Sequence, residues 1–185
     1  MAEVRILREL NRLDLAIYTA IAASPTPSLD SGLRRLSNAA NYSRVSMAAA
    51  AGMAVFAGPE GRRAAVRGLA SIAVTSAVMN IAIKPVARRR RPDRLKAEVP
   101  ESRHVKMPTS HSFPSGHSAA AFAFAAGAGR TIPWSAPPLT ILASAVAYSR
   151  IHTGVHYPGD VIIGALCGVT IAELTNIAID GLLAG

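Results

Sequence analysis

Two stretches decide how this chain is read: KPVARRRRP at 84–92 and SFPSGHSAAAFAFAAGAG at 112–129. The second opens on Pro114-Ser115-Gly116-His117 and runs into Ala, Gly and Phe with no charge, a helix apolar on every side. Around it the charge is sharply divided. Residues 107–149 carry one charged side chain, Arg130, while residues 84–106 carry twelve. The net charge of +9, from 20 Lys+Arg against 11 Asp+Glu, is therefore concentrated in segments, unlike that of an ordinary basic soluble domain. Half of the residues are apolar and 17% are charged, against about 25% in soluble domains. That composition excludes collagen-like and disordered classes, and the lack of heptads excludes a coiled coil. Cys167 is alone in an apolar run, which excludes a disulfide scaffold. At 185 residues the chain has room for one domain. It reads as an all-α, polytopic membrane helix bundle.

Working outward, the N-terminus sets Arg5, Arg8 and Arg12 among Val4, Ile6, Leu7 and Leu10 at helical spacing, then enters the apolar run Leu13–Ala23. Asp14 interrupts that run, which favours an interfacial amphipathic helix over a cleaved signal peptide. Pro25 and Pro27 break the chain, and Ser28–Asn41 predicts a second amphipathic helix with Leu29, Leu33 and Leu36 on one side. Residues 1–42 are thus an N-terminal amphipathic part, and 43–185 a bundle containing the polar loop 84–113. Four or five transmembrane helices of the bundle are expected, in Val45–Ala57, Ala64–Ile83, Gly116–Gly129, Leu139–Ser149 and Asp160–Leu183. Several are shorter than the ~20 residues of a spanning helix, so a soluble bundle of Ala-rich helices is the competing reading. The small residues throughout favour close helix contact within lipid.

Three polar clusters stand at helix ends: 84–92, 112–118, and Ser149-Arg150-Ile151-His152-Thr153-Gly154-Val155-His156-Tyr157-Pro158-Gly159-Asp160. If successive helices alternate direction, all three lie at one membrane face. Their chemistry suits a phosphoryl group. Lys84, Arg91 and Arg150 supply positive charge, and the arginine fork matches phosphate oxygens. Ser115 and Gly116 precede a helix whose free N–H groups and dipole attract anions. His117 and His156 are two imidazoles for nucleophilic and acid–base work. Asp160, four residues beyond His156, can hold its Nδ1–H and leave Nε2 free.

These motifs resemble those of the type 2 phosphatidic acid phosphatases, which share a fold and site with the vanadium haloperoxidases. The family pattern is Lys, six residues, Arg-Pro; then Pro-Ser-Gly-His; then Ser-Arg, five residues, His, three residues, Asp. Here it reads Lys84…Arg91-Pro92, Pro114-Ser115-Gly116-His117 and Ser149-Arg150…His156…Asp160. The resemblance implies an integral protein of a bacterial plasma membrane that hydrolyses a lipid phosphomonoester or pyrophosphate. Phosphatidic acid, phosphatidylglycerophosphate and polyprenyl (pyro)phosphates are the substrates it implies, a sugar-bearing polyprenyl phosphate being narrower. It further implies that His156 forms a phosphohistidine, Asp160 orients His156, and His117 protonates the leaving oxygen. Lys84, Arg91, Ser115, Gly116 and Arg150 would bind the phosphate oxygens, with no metal or other cofactor.

Other polar residues have plainer readings. Arg88, Arg89 and Arg90 suit a lipid-surface patch, and no aromatic residues interleave them as a nucleic-acid partner would want. Ser112 and Ser118 read as helix-cap or packing residues, His104 and His111 as surface histidines, and His152 as a loop residue or one just behind the site. Glu173, in the last helix, has no functional reading. A lipid-headgroup carrier or scaffold would use the same cations, but has no need of two histidines and Asp160. Placing residues 1–42 on the active-site side puts sixteen Lys/Arg there against four on the other face, or thirteen against four with Lys84, Arg91 and Arg150 set aside; on that second count, letting Leu13–Ala23 span gives ten against seven. Both counts predict a cytoplasmic site.

Overall fold

A computed structural model of the chain describes residues 2–185. Its seven α-helices are α1 (Ala2–Ala23), α2 (Pro27–Ala39), α3 (Arg44–Phe56), α4 (Gly58–Val78), α5 (Gly116–Gly129), α6 (Ala136–His152) and α7 (Pro158–Ala184), with no strand among the described residues. A π-helical turn, Met79–Ile83, extends α4 to Lys84. Met1 and the side chains of Val4 and Leu7, part of the expected N-terminal spacing, lie outside what is described. The five expected segments are helical, as α3–α7, with α4, α6 and α7 each starting earlier and α6 ending later than expected. Gly58 adopts a positive φ of 61°, so α4 begins six residues before Ala64, and Pro138 sits inside the first turn of α6 where no donor is needed.

Two segments are long and apolar enough to cross a membrane: Gly58–Ile83, 26 residues, and Pro158–Ala184, 27 residues. The remaining bundle helices, α3, α5 and α6, have 13, 14 and 17 residues, short of the ~20 that a full span takes. Large apolar side chains nevertheless point outward around the bundle, among them Phe56, Val66, Ile81, Ile141, Leu166 and Leu174. An apolar surface of that extent calls for an apolar surrounding.

The uniform α5 is the central post, packed against α4, α6 and α7, with Ala119, Ala123 and Ala128 fully buried. Contact with α7 is backbone to backbone. A Cβ at Gly164 would fall on the Ser115 carbonyl, and one at Gly168 on the Ala119 carbonyl. Residues four apart on one helix meet residues four apart on the other in the same order, so α5 and α7 run parallel here and start at one end. Ser115 N–H donates to the Asp160 carbonyl at 2.8 Å and closes that end. On the other flank Gly127 meets Ser71 and the Arg67 carbonyl, and Gly68 meets the Phe124 ring.

The two N-terminal helices turn polar groups inward. In α1, Asp14 and Tyr18 face the bundle, whereas Ile6, Leu10, Leu13 and Ile17 are exposed. Tyr18 and Ala22 pack with Val99, Ile151 and Val161, residues at the end where α5 and α7 begin. The helix therefore lies across that end. In α2, Asp30 and Ser37 are buried while Leu29 is exposed. Asp30 gathers Arg103 (Nε to Oδ1, 2.9 Å), His152 (Nε2 to Oδ1, 3.0 Å) and Ser102. Arg103 also donates to the carbonyls of Ile21, Ala22 and Ser24, so it pins the 84–115 loop into the break between α1 and α2. At the opposite end Asp180 accepts from Arg67 and Arg130, joining α7 to α4 and to the end of α5.

The α5–α7 contact tolerates no side chain at Gly168. Gly168→Ala should destabilise the protein by about 1–3 kcal/mol through overpacking. Gly181→Ala, where a Cβ meets nothing within 4 Å, should be neutral or stabilising, the added residue favouring helix by about 0.5–1 kcal/mol. Thermal unfolding of the two variants in detergent measures the difference.

Candidate active site

Three elements converge where α5 and α7 begin: the irregular chain after α4, the start of α5, and the α6–α7 connection. Arg88–Arg91 is irregular, with the Arg89 N–H donating to the Ala87 carbonyl at 3.1 Å, and exposure alternates along it. Arg88 and Arg90 are exposed, while Arg89 and Arg91 are partly buried and turn inward. Arg91 is fixed on backbone: Nε donates to the Ser110 carbonyl at 2.9 Å and Nη1 to the Val155 carbonyl at 2.8 Å. The same Nη1 stands 3.2 Å from His156 Nε2. A guanidinium nitrogen can only donate, so His156 Nε2 offers its lone pair and the ring proton belongs on Nδ1.

His156 is 2% exposed, and its Nδ1 lies 3.5 Å from Asp160 Oδ2 and 3.4 Å from Ser112 Oγ. Burial chiefly, opposed by the Asp160 hydrogen bond and reinforced by Arg91 and Arg150, lowers the His156 pKa to about 4. The imidazole is therefore neutral at physiological pH. Asp160 is completely buried and its oxygens are all engaged. Oδ2 accepts from the Ser112 hydroxyl and, at 2.9 Å, from the Tyr157 N–H, and Oδ1 accepts from Arg89 Nη1 at 2.8 Å.

Arg89 is not the lipid-surface residue expected from the sequence. Its second nitrogen pairs with Asp14 of α1 at 2.6 Å and donates to Asn11 at 3.1 Å, and its guanidinium lies 4.1 Å from the centroid of the Tyr157 ring. Asp14 in turn accepts from the Gly159 N–H at 2.7 Å. The N-terminus of α7 is thus filled by two carboxylates of the protein, Asp14 and Asp160. That of α5 is open. Ser115 caps it by accepting at Oγ from Ser118 N–H, but among the described residues the amides of Gly116 and His117 find no acceptor.

Cations ring this open terminus. Lys84 Nζ donates to Asn80 Oδ1 at 3.2 Å and lies so near Gly116 that a Cβ there would approach it to 3.2 Å. Burial, and then the charge of Arg91, lowers the Lys84 pKa below its ordinary value. Arg150 is 1% exposed; its Nη1 is held by the carbonyl and hydroxyl of Ser37, and its Nε has no acceptor among the described residues. His117 Nε2 donates to the side-chain oxygen of Asn41 at 3.0 Å, and Arg150, His156, Lys84 and Arg91 all stand within electrostatic range of it. All eight residues singled out in the sequence thus surround one end of α5. An unpaired buried guanidinium nitrogen and free helix-terminal amides can together take up an anion beside the His156 lone pair.

Sequence reasoning did not anticipate the supporting residues. Ser112 bonds Asp160 instead of capping a helix, Asn41 holds His117, Ser37 holds Arg150, and Asp14 reaches Asp160 through Arg89. The signal for Arg89 was its two-residue spacing from Arg91. For Asp30, Ser37 and Asn41 it was their seven- and four-residue spacing on one face. His152 belongs to the buried Asp30 cluster and not to this site, and His104 bonds the Val99 carbonyl within its own loop. Glu173 is exposed on α7.

Comparisons with known proteins agree with the motifs. Over 154 residues, 81% of this chain and 78% of the relative, it is 36% identical to decaprenylphosphoryl-5-phosphoribose phosphatase of Mycolicibacterium smegmatis. It is also 36% identical over 96 residues to the protein of that name from Mycobacterium tuberculosis, a match spanning about half the length of that relative, 51%, and 52% of this chain. Among solved structures, Aquifex aeolicus LpxE superposes with a TM-score of 0.67 at 24% identity, covering 88% of this chain and 94% of that one. The transmembrane PAP2 type phosphatidylglycerolphosphate phosphatase of Bacillus subtilis gives 0.68 at 22%, covering 94% and 87%. These two likenesses are of fold. The sequence profile of the PAP2 superfamily matches residues 64–181, well over half of the chain, and the protein belongs to that superfamily.

Proposed function

We propose that this protein is an integral membrane lipid-phosphate phosphatase working through a phosphohistidine on His156. The observation that carries the reading is the His156 ring: buried, neutral, its Nε2 lone pair turned to Arg91 and its Nδ1 toward Asp160. Nε2 attacks phosphorus, an N–P bond forms, and the P–O bond to the lipid alcohol breaks. The departing oxygen takes a proton from His117. Water then attacks the phosphorus, returns a proton to His117, and releases phosphate with the His156 ring restored. Lys84, Arg91, Arg150, the Ser115 hydroxyl and the Gly116 amide stabilise the charge growing on the equatorial oxygens. Arg89 is a positioning residue that fixes Asp160 against His156 and ties it to α1. Substrates of this class are phosphatidic acid, phosphatidylglycerophosphate and polyprenyl (pyro)phosphates. The mycobacterial relatives favour a polyprenyl-linked sugar phosphate.

In this reading α3–α7 form a five-helix membrane bundle, and α1 rests in the interface with Ile6, Leu10, Leu13 and Ile17 in lipid. Because α1 lies across the active-site end, its arginines count on that side, which gives the distribution of sixteen Lys/Arg against four and a cytoplasmic site.

Inorganic phosphate should be released from a panel of these lipids in the presence of EDTA, and His156→Ala should abolish release while vanadate binding persists. No release from any lipid phosphate would contradict the reading and favour a headgroup binder. Arg89→Gln should lower kcat by roughly 10–100-fold, the worth of one hydrogen bond to a charge, with KM little changed, and Arg89→Lys should recover part of it. A rise in KM alone would remove Arg89 from the positioning role. With Cys167 replaced by Ala, a cysteine at exposed Lys96 should escape a membrane-impermeant maleimide in intact cells and react after lysis. Labelling before lysis would overturn the orientation.

A further inference from the structure

A small cavity of about 150 Å³ opens beside His117 and Gly116, between α4 and the turn that carries Tyr42 and Ser43. Lys84 and His117 line it; His156 does not. In an in-line displacement the leaving oxygen departs opposite the nucleophile, so a group seated here is the part of the lipid that leaves with the His117 proton. The walls are unusual for a membrane-crossing helix. Thr75, Ser76 and Asn80 of the α4 segment and Ser43 of the turn put four hydrogen-bonding side chains on the cavity.

Thr75 is the informative one. It is completely buried, and its Oγ1 has no hydrogen-bond partner among the described residues. A helical threonine commonly bonds the carbonyl four residues back, as Thr175 does with Ile171. Left unpaired, a buried hydroxyl forfeits the hydrogen bonds that water would give it. Nearby, Asn80 donates to the Ser76 carbonyl and accepts from Lys84, so a polar ladder climbs the α4 face from the cavity to the phosphate-binding cations.

We infer that this cavity binds free hydroxyl groups of the leaving alcohol, and that the enzyme is selective for lipid phosphates whose phosphorylated carbon belongs to a sugar or similar polyol. Thr75 supplies the recognising hydroxyl, with Ser76 and Asn80 beside it. A diacylglycerol leaving group has no free hydroxyl to satisfy Thr75, whereas a pentose keeps several within reach of the reacting oxygen. The inference rests on the phosphatase reading above and narrows its substrate class.

The test compares kcat/KM for a short-chain polyprenylphosphoryl ribose 5-phosphate with kcat/KM for a short-chain phosphatidic acid, in the same detergent. Wild type should prefer the ribose compound. Thr75→Val, near in shape but without the hydroxyl, should lower the ratio of the two by about tenfold, one hydrogen bond's worth. Thr75→Ser, which restores the hydroxyl, should recover the ratio. A merely structural role would depress both substrates together and leave the ratio unmoved, and that outcome overturns the inference. So does a wild-type preference for phosphatidic acid. Phosphate release with an unmoved ratio leaves the phosphatase reading standing and removes only the polyol site; absence of release from both substrates removes both.

Discussion

The parallel contact of α5 and α7 governs everything else in the molecule. Gly164 and Gly168 let the two backbones meet, with the Ser115 and Ala119 carbonyls where side chains would otherwise stand. Two helix N-termini are thereby brought to one place, each with a positive dipole end and unpaired amides. The protein treats them differently. Asp160 and Asp14 fill the terminus of α7, and the negative charge they bring orients His156. At the terminus of α5 the Gly116 and His117 amides find no acceptor among the described residues. One end becomes a carboxylate-supported imidazole, the other is the anion seat of the proposed reaction, and glycine lets the two stand this close.

The concentrated basic segment follows from the same geometry. A segment of about thirty residues joining α4 to α5 carries little regular structure, so it needs other means of taking one shape. Arginines provide them by donating to backbone carbonyls: Arg91 to Ser110 and Val155, Arg94 to Val105, Arg103 to Ile21, Ala22 and Ser24. Guanidinium is suited to this because several donors leave one rigid plane. Only Arg91 also reaches His156. The charge that a sequence reader assigns to a membrane surface is in good part internal scaffolding, with Arg88 and Arg90 left to face outward.

Much of the bundle was legible because its signals are local, and the eight positions proposed for the site come together at one end of α5. Pro and Gly punctuate the helices, and fixed spacing links Lys84 to Arg91 and Arg150 to His156 and Asp160. The rest was hidden by an inverted rule. In α2, Leu29 of the apolar side is exposed, while Asp30 and Ser37 are buried. Beside lipid, apolar side chains gain nothing by turning inward, and hydrogen bonds hold the N-terminal helices to the bundle. Partners such as Asn41 for His117 or Asp14 for Arg89 are 76 and 75 residues apart, and no local pattern announces such pairs. Helix ends were set by details that composition blurs, as where the left-handed Gly58 starts α4 early.

That the arrangement around His156 makes its Nε2 the atom that takes the phosphoryl group is the step on which the proposed function depends. Its most direct test is to quench a single turnover under denaturing alkaline conditions with ¹⁵N-histidine-labelled protein and read the ³¹P–¹⁵N coupling of the phosphorylated peptide. The account predicts phosphate on His156, bonded through Nε2. Phosphate on Nδ1, on His117 or on any other residue would contradict it.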